Sequence, residues 1–251
     1  MKGAIRDAVV LLAGAGSRLT NTHATPKPLV AVLGTPLIAY VLRALESVGV
    51  KNIHAVVGAH GDTVIRGVKA CLPASLSLNR IENRQWKLRN GVSVLCAREA
   101  IDRPFFLTMG DHLFDPVILR VLVERAGPHG LNLAVDRNVD RVFDLDDAMK
   151  VATSGEQIVA ISKTLHSFDA IDTGLFLCAP QIFDYLESAK VNGDCSLAEG
   201  VQLMANDGKA RAIDIRDAWW QDVDTPAMLE RAEATLPMSL RAMANPAPVC
   251  G

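Results

Sequence analysis

Apolar runs of strand length alternate with amphipathic segments through the first 135 residues, and this rhythm predicts the fold. Residues 8–13, 53–57, 75–81, 105–109 and 131–135 are short runs, most of them rich in Val, Ile, Leu and Phe. Such runs suit strands buried on both faces. Between them, residues 36–48, 62–71, 91–100 and 115–125 carry apolar positions at helical spacing. In the first of these, Leu37, Ile38, Val41, Leu42 and Leu45 share one face, Pro36 stands in the first turn and Gly49 marks the stop. Asp62 and Asn90 are placed to cap the next two. Alternation of this kind requires right-handed crossovers. It predicts an α/β fold built on a doubly wound, mostly parallel, Rossmann-like sheet.

The rhythm loosens near residue 137. Residues 148–153, 158–162 and 171–178 read as short strands with little helix between them. This predicts a small antiparallel insertion over about 137–179, packed on the edge of the main sheet. Helices resume at 180–189 and 196–205, a last strand covers 210–215, and Thr225-Pro226 opens a final helix. The expected domain is 1–236. Residues 237–251, with Pro237, Pro246 and Pro248, form a tail expected to fray.

Composition narrows the function classes. The chain has 49% apolar residues, 26 Lys and Arg against 28 Asp and Glu, and a net charge of −2. A core of ordinary size is expected. No global charge points to nucleic acid or a membrane surface, so any functional cations must be local. No apolar run reaches the roughly 18 residues of a membrane span, and residues 1–13 lack the basic region and cleavage site of a secretory leader. Cys71, Cys96, Cys178, Cys195 and Cys250 are scattered without a C-x-x-C pair. That suits reduced thiols and a cytoplasmic setting. The histidines lack zinc-site spacing.

The strand at 8–13 runs into Gly14-Ala15-Gly16-Ser17-Arg18-Leu19, and Thr25-Pro26-Lys27-Pro28-Leu29 follows. Glycines allow backbone N–H groups to approach a polyanion, and Arg18 and Lys27 supply cations. A P-loop is excluded because no Gly-Lys-Ser/Thr occurs. A dinucleotide fingerprint is disfavoured because Leu19 replaces the third glycine and residues 29–40 contain no carboxylate for a ribose. Two carboxylates follow later strands. Asp111 stands in Gly110-Asp111-His112, and Asp224 stands in Asp222-Val223-Asp224-Thr225-Pro226, with Asp222 its rival. Strand ends of an open parallel sheet are where ligands bind, and two carboxylates can hold a hard divalent cation against phosphate. Asp224 also suits a helix cap, and Trp219 and Trp220 suit packing better than base stacking.

The run from Leu12 to Leu19, with Pro26-Lys27-Pro28-Leu29, resembles the signature of the nucleotidyltransferase superfamily, with Ala15 in place of a common glycine. Gly110-Asp111-His112, Val135-Asp136-Arg137, Ile161-Ser162-Lys163, Asp172-Thr173-Gly174 and Asp222-Val223-Asp224 are similar to the CTP:inositol-1-phosphate cytidylyltransferases within it. The resemblance implies a nucleotide-diphospho-sugar transferase fold. It also implies a Mg²⁺-assisted transfer from CTP to a phosphorylated alcohol, inositol 1-phosphate favoured, with release of pyrophosphate. It carries Leu12, Ala13, Gly14, Ala15, Gly16, Ser17 and Arg18 over as the nucleotide loop, with Asn90, Gly91 and Ser93 near the base or sugar. Arg89 replaces a glycine usual before that asparagine. Lys27, Arg18 and Asp111 carry the catalytic roles, Asp111 and Asp224 hold the metal, and Asp136, Lys150, Lys163 and Asp172 meet the acceptor. A separate membrane phosphotransferase is an implied downstream partner, since the family often carries one fused. Alternative readings are a phosphocholine, phosphonate or sugar-1-phosphate nucleotidyltransferase, and a non-catalytic nucleotide-binding protein on the same fold.

Overall fold

The computed structural model describes residues 4–14, 17–20, 25–58, 60–127 and 130–244. Its first half follows the predicted alternation. Strand β1 (Asp7–Leu12) leads to the short helix α1 (Ser17–Thr20), then the hairpin β2 (Ala31–Val32) and β3 (Thr35–Pro36), and then α2 (Leu37–Ser47). Next come β4 (Asn52–Val57), α3 (Gly61–Cys71), β5 (Ser77–Glu82), α4 (Asn90–Leu95), β6 (Phe105–Met109) and β7 (His112–Phe114). The chain continues through α5 (Val117–Arg125), β8 (Leu131–Asp136), β9 (Lys150–Ser154), β10 (Gln157–Ser162) and β11 (Ala170–Cys178). It closes with α6 (Ile182–Ala189), α7 (Leu197–Asn206), β12 (Ala210–Asp214), β13 (Trp220–Asp222), α8 (Pro226–Thr235) and α9 (Met238–Ala244).

Nine strands form one sheet in the order β5-β4-β1-β6-β11-β8-β12-β10-β9. The pairs β1–β4, β4–β5, β1–β6 and β8–β12 are parallel. The antiparallel part goes further than the sequence suggests. Strand β11 does not sit at an edge; it runs through the middle of the sheet, antiparallel to both β6 and β8. Only β9 and β10 lie at the far side, and β9 turns back to pair with β11, so that this half of the sheet curls on itself.

Side-chain alternation along the strands builds two cores. Val10, Leu12 and Phe106 face the layer of α2, α3 and α5, while Val9, Leu11, Phe105 and Leu107 face α4, α6 and α7. Each large side chain fully buried this way contributes about 1.5–3 kcal/mol. Phe105 stacks on Phe183 with ring centroids 5.6 Å apart, docking α6 onto β6. A third cluster, including Leu19, Leu37, Tyr40, Leu113, Val223 and Leu240, binds α1, α2, β7 and the C-terminal helices together. The tail therefore departs from expectation. Leu240 on α9 is buried, and Arg43 donates to the Met243 carbonyl (2.8 Å), so residues 238–244 pack as a helix.

Helix starts also differ in detail. Asp62 does not cap α3; it pairs with Arg80 (2.6 Å). Asn90 does not cap α4; its side-chain oxygen accepts from the Leu197 N–H (2.8 Å) at the start of α7. By contrast Ser196 and Glu199 form a full capping box on α7, and Thr225 caps α8 ahead of Pro226. Among the described residues no helix is long and apolar enough to cross a membrane.

Candidate active site

The parallel strands end together, and the candidate residues gather there. Gly110 follows β6 directly. A Cβ at that position would lie 2.1 Å from Leu12 Cδ2, so a larger residue would have to displace the tip of Leu12 for the Asp111 turn to close against the end of β1. Short strands β7 and β13 pair antiparallel with His112 opposite Asp222. That pairing brings Asp111, just before β7, beside Asp222 and Asp224 at the end of β13. Three-residue strands are too short to show a period, which is why the sequence does not reveal this junction.

Lys27 joins the two acidic segments. It lies in a 3-10 turn, Lys27–Leu29, between two prolines that preset the backbone. Its Nζ donates both to Asp111 Oδ2 and to Asp224 Oδ1. Burial works against the ammonium, yet the two carboxylates outweigh it and hold its pKa above the usual lysine range. The Asp111 carboxyl is likewise opposed by burial and is held far below its ordinary range by Lys27 and His112. Asp224 Oδ2 accepts from Arg18 (2.9 Å), and Arg18 also donates to Asp147 Oδ2 (2.7 Å). Asp147 in turn accepts from Lys163 (2.6 Å).

His112 is fixed from three sides. Its Nδ1 lies 2.6 Å from Asp111 Oδ1, and despite burial this contact raises its pKa. Its ring stacks on Trp220 at 6.5 Å, and the Trp220 indole N–H donates to Asp136 Oδ2 (2.9 Å). On the third side is Gly174, at φ +73°, where an added Cβ would lie 2.5 Å from His112 Nε2. The register between β11 and β8 shifts between Asp172 and Phe176, around this glycine. Asp172 Oδ1 accepts from the Gly174 N–H (2.7 Å).

A cavity of about 370 Å³ opens at this end. Of the residues singled out by sequence, Ala13, Gly14, Asn90, Ser93, Asp111, Lys163, Asp172 and Asp224 line it, as does Asp222. Ala15 and Gly16 lie outside the described residues. Lys150 and Asp136 stand behind the wall. The Lys150 ammonium is buried and donates to the carbonyls of Asp146, Ala148 and Lys163 (3.3, 3.5 and 2.9 Å). Asp136 is engaged by Trp220 and by the Asn138 N–H. Gly91 lies in the first turn of α4, where a Cβ would strike the Cys195 carbonyl oxygen at 2.7 Å; it is a packing residue. Arg89, at the position usually held by glycine, ties α4 to α7 through Asp194 (3.1 Å) and Glu199 (2.6 Å). Sequence reasoning passes over Trp86, Phe143 and Asp147, which also line the cavity. They sit in irregular segments that match none of the motifs.

The donor set fits a hard divalent cation. Asp111 Oδ2 and Asp224 Oδ1 already converge on one positive charge, and oxygen donors are what Mg²⁺ takes, with phosphate oxygens completing the shell. No cluster of three or more potential metal-ligating His, Cys, Asp or Glu groups occurs among the described residues. A metal here would rest on two carboxylates and on its substrate.

Residues 8–191 match the model of the MobA-like NTP transferase domain. The chain belongs to this family. The NTP transferase domain is 33% identical over 244 residues to a bifunctional IPC transferase and DIPP synthase of Rubrobacter xylanophilus, covering 96% of this chain and 54% of that protein. It is 31% identical over 244 residues to a CMP-5'-(3-aminopropyl)phosphonate synthase of Streptomyces rubellomurinus, covering 90% and 38%. The chain thus spans about half or less of the length of these curated relatives. The solved inositol-1-phosphate CTP transferase of T. maritima superimposes with a TM-score of 0.86 at 26% identity, covering 100% of both chains. That agreement places the NTP transferase domain in the nucleotide-diphospho-sugar transferase fold expected from its sequence.

Burial raises the Asp172 carboxyl to about 6. A carboxyl raised on folding favours the folded state fully only below its ordinary pKa, and that advantage is lost as pH rises through about 6. Asp172→Asn keeps an acceptor for the Gly174 N–H and removes the charge. It is expected to melt above the wild type at pH 7–8, by about 1–3 kcal/mol after allowance for partial exposure. The gap should close near pH 4, and thermal melts across pH would show it; equal melts at pH 8 would contradict the assignment.

Proposed function

We propose that the domain is a cytidylyltransferase that joins CTP to a phosphorylated alcohol, with inositol 1-phosphate the favoured acceptor, and releases pyrophosphate. The observation that carries this reading is Lys27 held between Asp111 and Asp224, with Arg18 also on Asp224, and a cavity lined by those two carboxylates together with Lys163 and Asp172. The names of the relatives support the choice of nucleotide and acceptor.

The chemistry follows from charge. An acceptor phosphate is already anionic, so one of its oxygens attacks the α-phosphorus directly; a new P–O bond forms, the bond to the β-phosphate oxygen breaks and pyrophosphate leaves. No side chain need remove a proton. The protein's task is to bring two polyanions together in line and offset their repulsion. The glycine loop that begins at Leu12 would wrap the triphosphate, Arg18 stands between the triphosphate and the acceptor phosphate, and Lys27 faces the reacting phosphates. Asn90 and Ser93 lie toward the base or sugar, with Gly91 shaping that wall from behind. Lys163 meets the acceptor phosphate and Asp172 a hydroxyl. Asp136 and Lys150 act by holding Trp220 and the cavity wall in place. Mg²⁺, held by Asp111 and Asp224, would add positive charge against the phosphates. His112, whose pKa Asp111 raises against the effect of burial, orients that carboxylate.

The test is acceptor-dependent pyrophosphate release with Mg²⁺, each nucleoside triphosphate, and a panel of inositol 1-phosphate, phosphocholine, 3-aminopropylphosphonate and sugar 1-phosphates. CTP with inositol 1-phosphate should be fastest, and Asp111→Asn should lower kcat by about 10²–10³-fold. Absence of acceptor-dependent release across the panel would overturn the enzyme reading. Release with phosphocholine or the phosphonate alone would replace the acceptor.

A further inference from the structure

We propose that Asp147, which bridges Arg18 and Lys163, competes with the acceptor's phosphate for that pair of cations. The inference rests on the transferase reading above and adds to it a position for the phosphomonoester and an internal competitor for it. Its first support is geometric. The two oxygens of one carboxylate are divided between two cations: Oδ2 accepts from Arg18 at 2.7 Å and Oδ1 from Lys163 at 2.6 Å. A phosphomonoester dianion between the same donors would bridge them in the same way, with oxygens to spare. It would then lie next to the guanidinium that also reaches Asp224, and so beside the point where Lys27, Asp111 and Asp224 meet.

The second support is that Asp147 is held there by construction. It belongs to no helix or strand, yet the buried Lys150 ammonium binds the carbonyls on either side of it, those of Asp146 and Ala148. The same ammonium binds the carbonyl of Lys163, the residue whose side chain Asp147 engages. One buried cation thus sets the spacing between the carboxylate and its partner. At the other end of the segment Arg141 pairs with Asp217 (3.0 Å), and the Arg231 guanidinium lies over the Phe143 ring at 5.2 Å. The segment is anchored on both sides of the carboxylate, while Arg18, Asp147 and Lys163 themselves remain partly exposed to an entering ligand.

A carboxylate that must leave before phosphate enters lowers the apparent affinity for phosphate in proportion to its occupancy. Removing its charge should tighten binding, and the control must separate this from a general loss of negative charge. Asp144 lines the same cavity and carries the same charge without an ion pair to Arg18 or Lys163, so Asp144→Asn is that control. Titration calorimetry with inorganic phosphate would be run on the wild type, Asp147→Asn, Asp144→Asn and the double variant Asp147→Asn/Lys163→Gln. Asp147→Asn is expected to bind phosphate about tenfold more tightly than the wild type, Asp144→Asn within about twofold of it, and the double variant no more tightly than it. Equal tightening by the two single variants, undiminished tightening in the double variant, or no phosphate binding by Asp147→Asn would each overturn the proposal. These titrations need no turnover. Failure of pyrophosphate release therefore counts against the transferase reading alone, and an active enzyme that fails the titrations counts against the Asp147 assignment alone.

Discussion

Lys27→Ala is expected to lose turnover by about 10²–10³-fold, and to lose stability with it. In the wild type one ammonium neutralises two carboxylates that would otherwise face each other, and its side chain is 9% exposed. Its removal leaves Asp111 and Asp224 without that counter-charge. Breaking a fully buried pair costs about 3–5 kcal/mol. The aspartates here retain some contact with water, and each keeps a second cationic neighbour, His112 or Arg18. The expected loss is therefore about 1–3 kcal/mol. Divalent cation makes the test sharper. With the ammonium gone, added Mg²⁺ should raise the melting temperature of the variant more than that of the wild type, because the two unneutralised carboxylates then attract the ion even without nucleotide phosphates to complete its shell. A variant with wild-type kcat, or one that melts like the wild type and ignores Mg²⁺, would remove Lys27 from the centre of the site.

The second large effect is expected at Gly174, for a different reason. Its φ of +73° lies where an L side chain is strained, and its missing Cβ leaves the space that His112 fills. Gly174→Ala should cost about 1–2 kcal/mol for the backbone and a further 1–3 kcal/mol for the overlap with the ring. The imidazole would be pushed from its stack on Trp220 and from Asp111, so activity should fall even where the fold persists. A double variant with His112→Ala separates the two costs. Relief of the overlap should recover part of the lost stability and leave the backbone part in place. Additive losses in a thermal-melt cycle would show that Gly174 and His112 are not in contact.

Legibility varied with the range of the interaction concerned. Strands β1, β4 and β6 and helices α2 and α3 follow from periodicities within a dozen positions, and sequence reasoning places them within a few residues, although the caps expected at Asp62 and Asn90 are absent. Asp111 and Asp224 are legible because they follow strands or turn signals that are themselves legible. The central place of β11 is not, because nothing in Ala170–Cys178 records that its neighbours are β6 and β8; that choice depends on which chain segments can reach. Lys150 and Lys163 look alike in sequence, since each is a lysine among short strands. Burial among carbonyls makes one a brace, and a half-exposed position opposite Asp147 makes the other a candidate ligand for phosphate. Asp147 itself carries no motif, and its meaning comes entirely from the two cations on its oxygens. Arg89 shows the converse: a departure from an expected glycine is accounted for once Asp194 and Glu199 are seen beside it.

The curl that returns β9 to β11 bears on how copies of this protein could meet. An open sheet normally offers two rims of unpaired backbone to any passing strand, and such rims invite aggregation. Here one rim is engaged by the sheet's own closure, and of its nine strands β5 is the edge paired with a single neighbour. That strand is short and exposes Ser77, Asn79, Arg80 and Glu82, with Arg80 held by Asp62 across the gap to α3. Strand-to-strand association at the rims of this sheet is therefore confined to one hydrophilic edge, where adding a neighbour would bury few apolar groups.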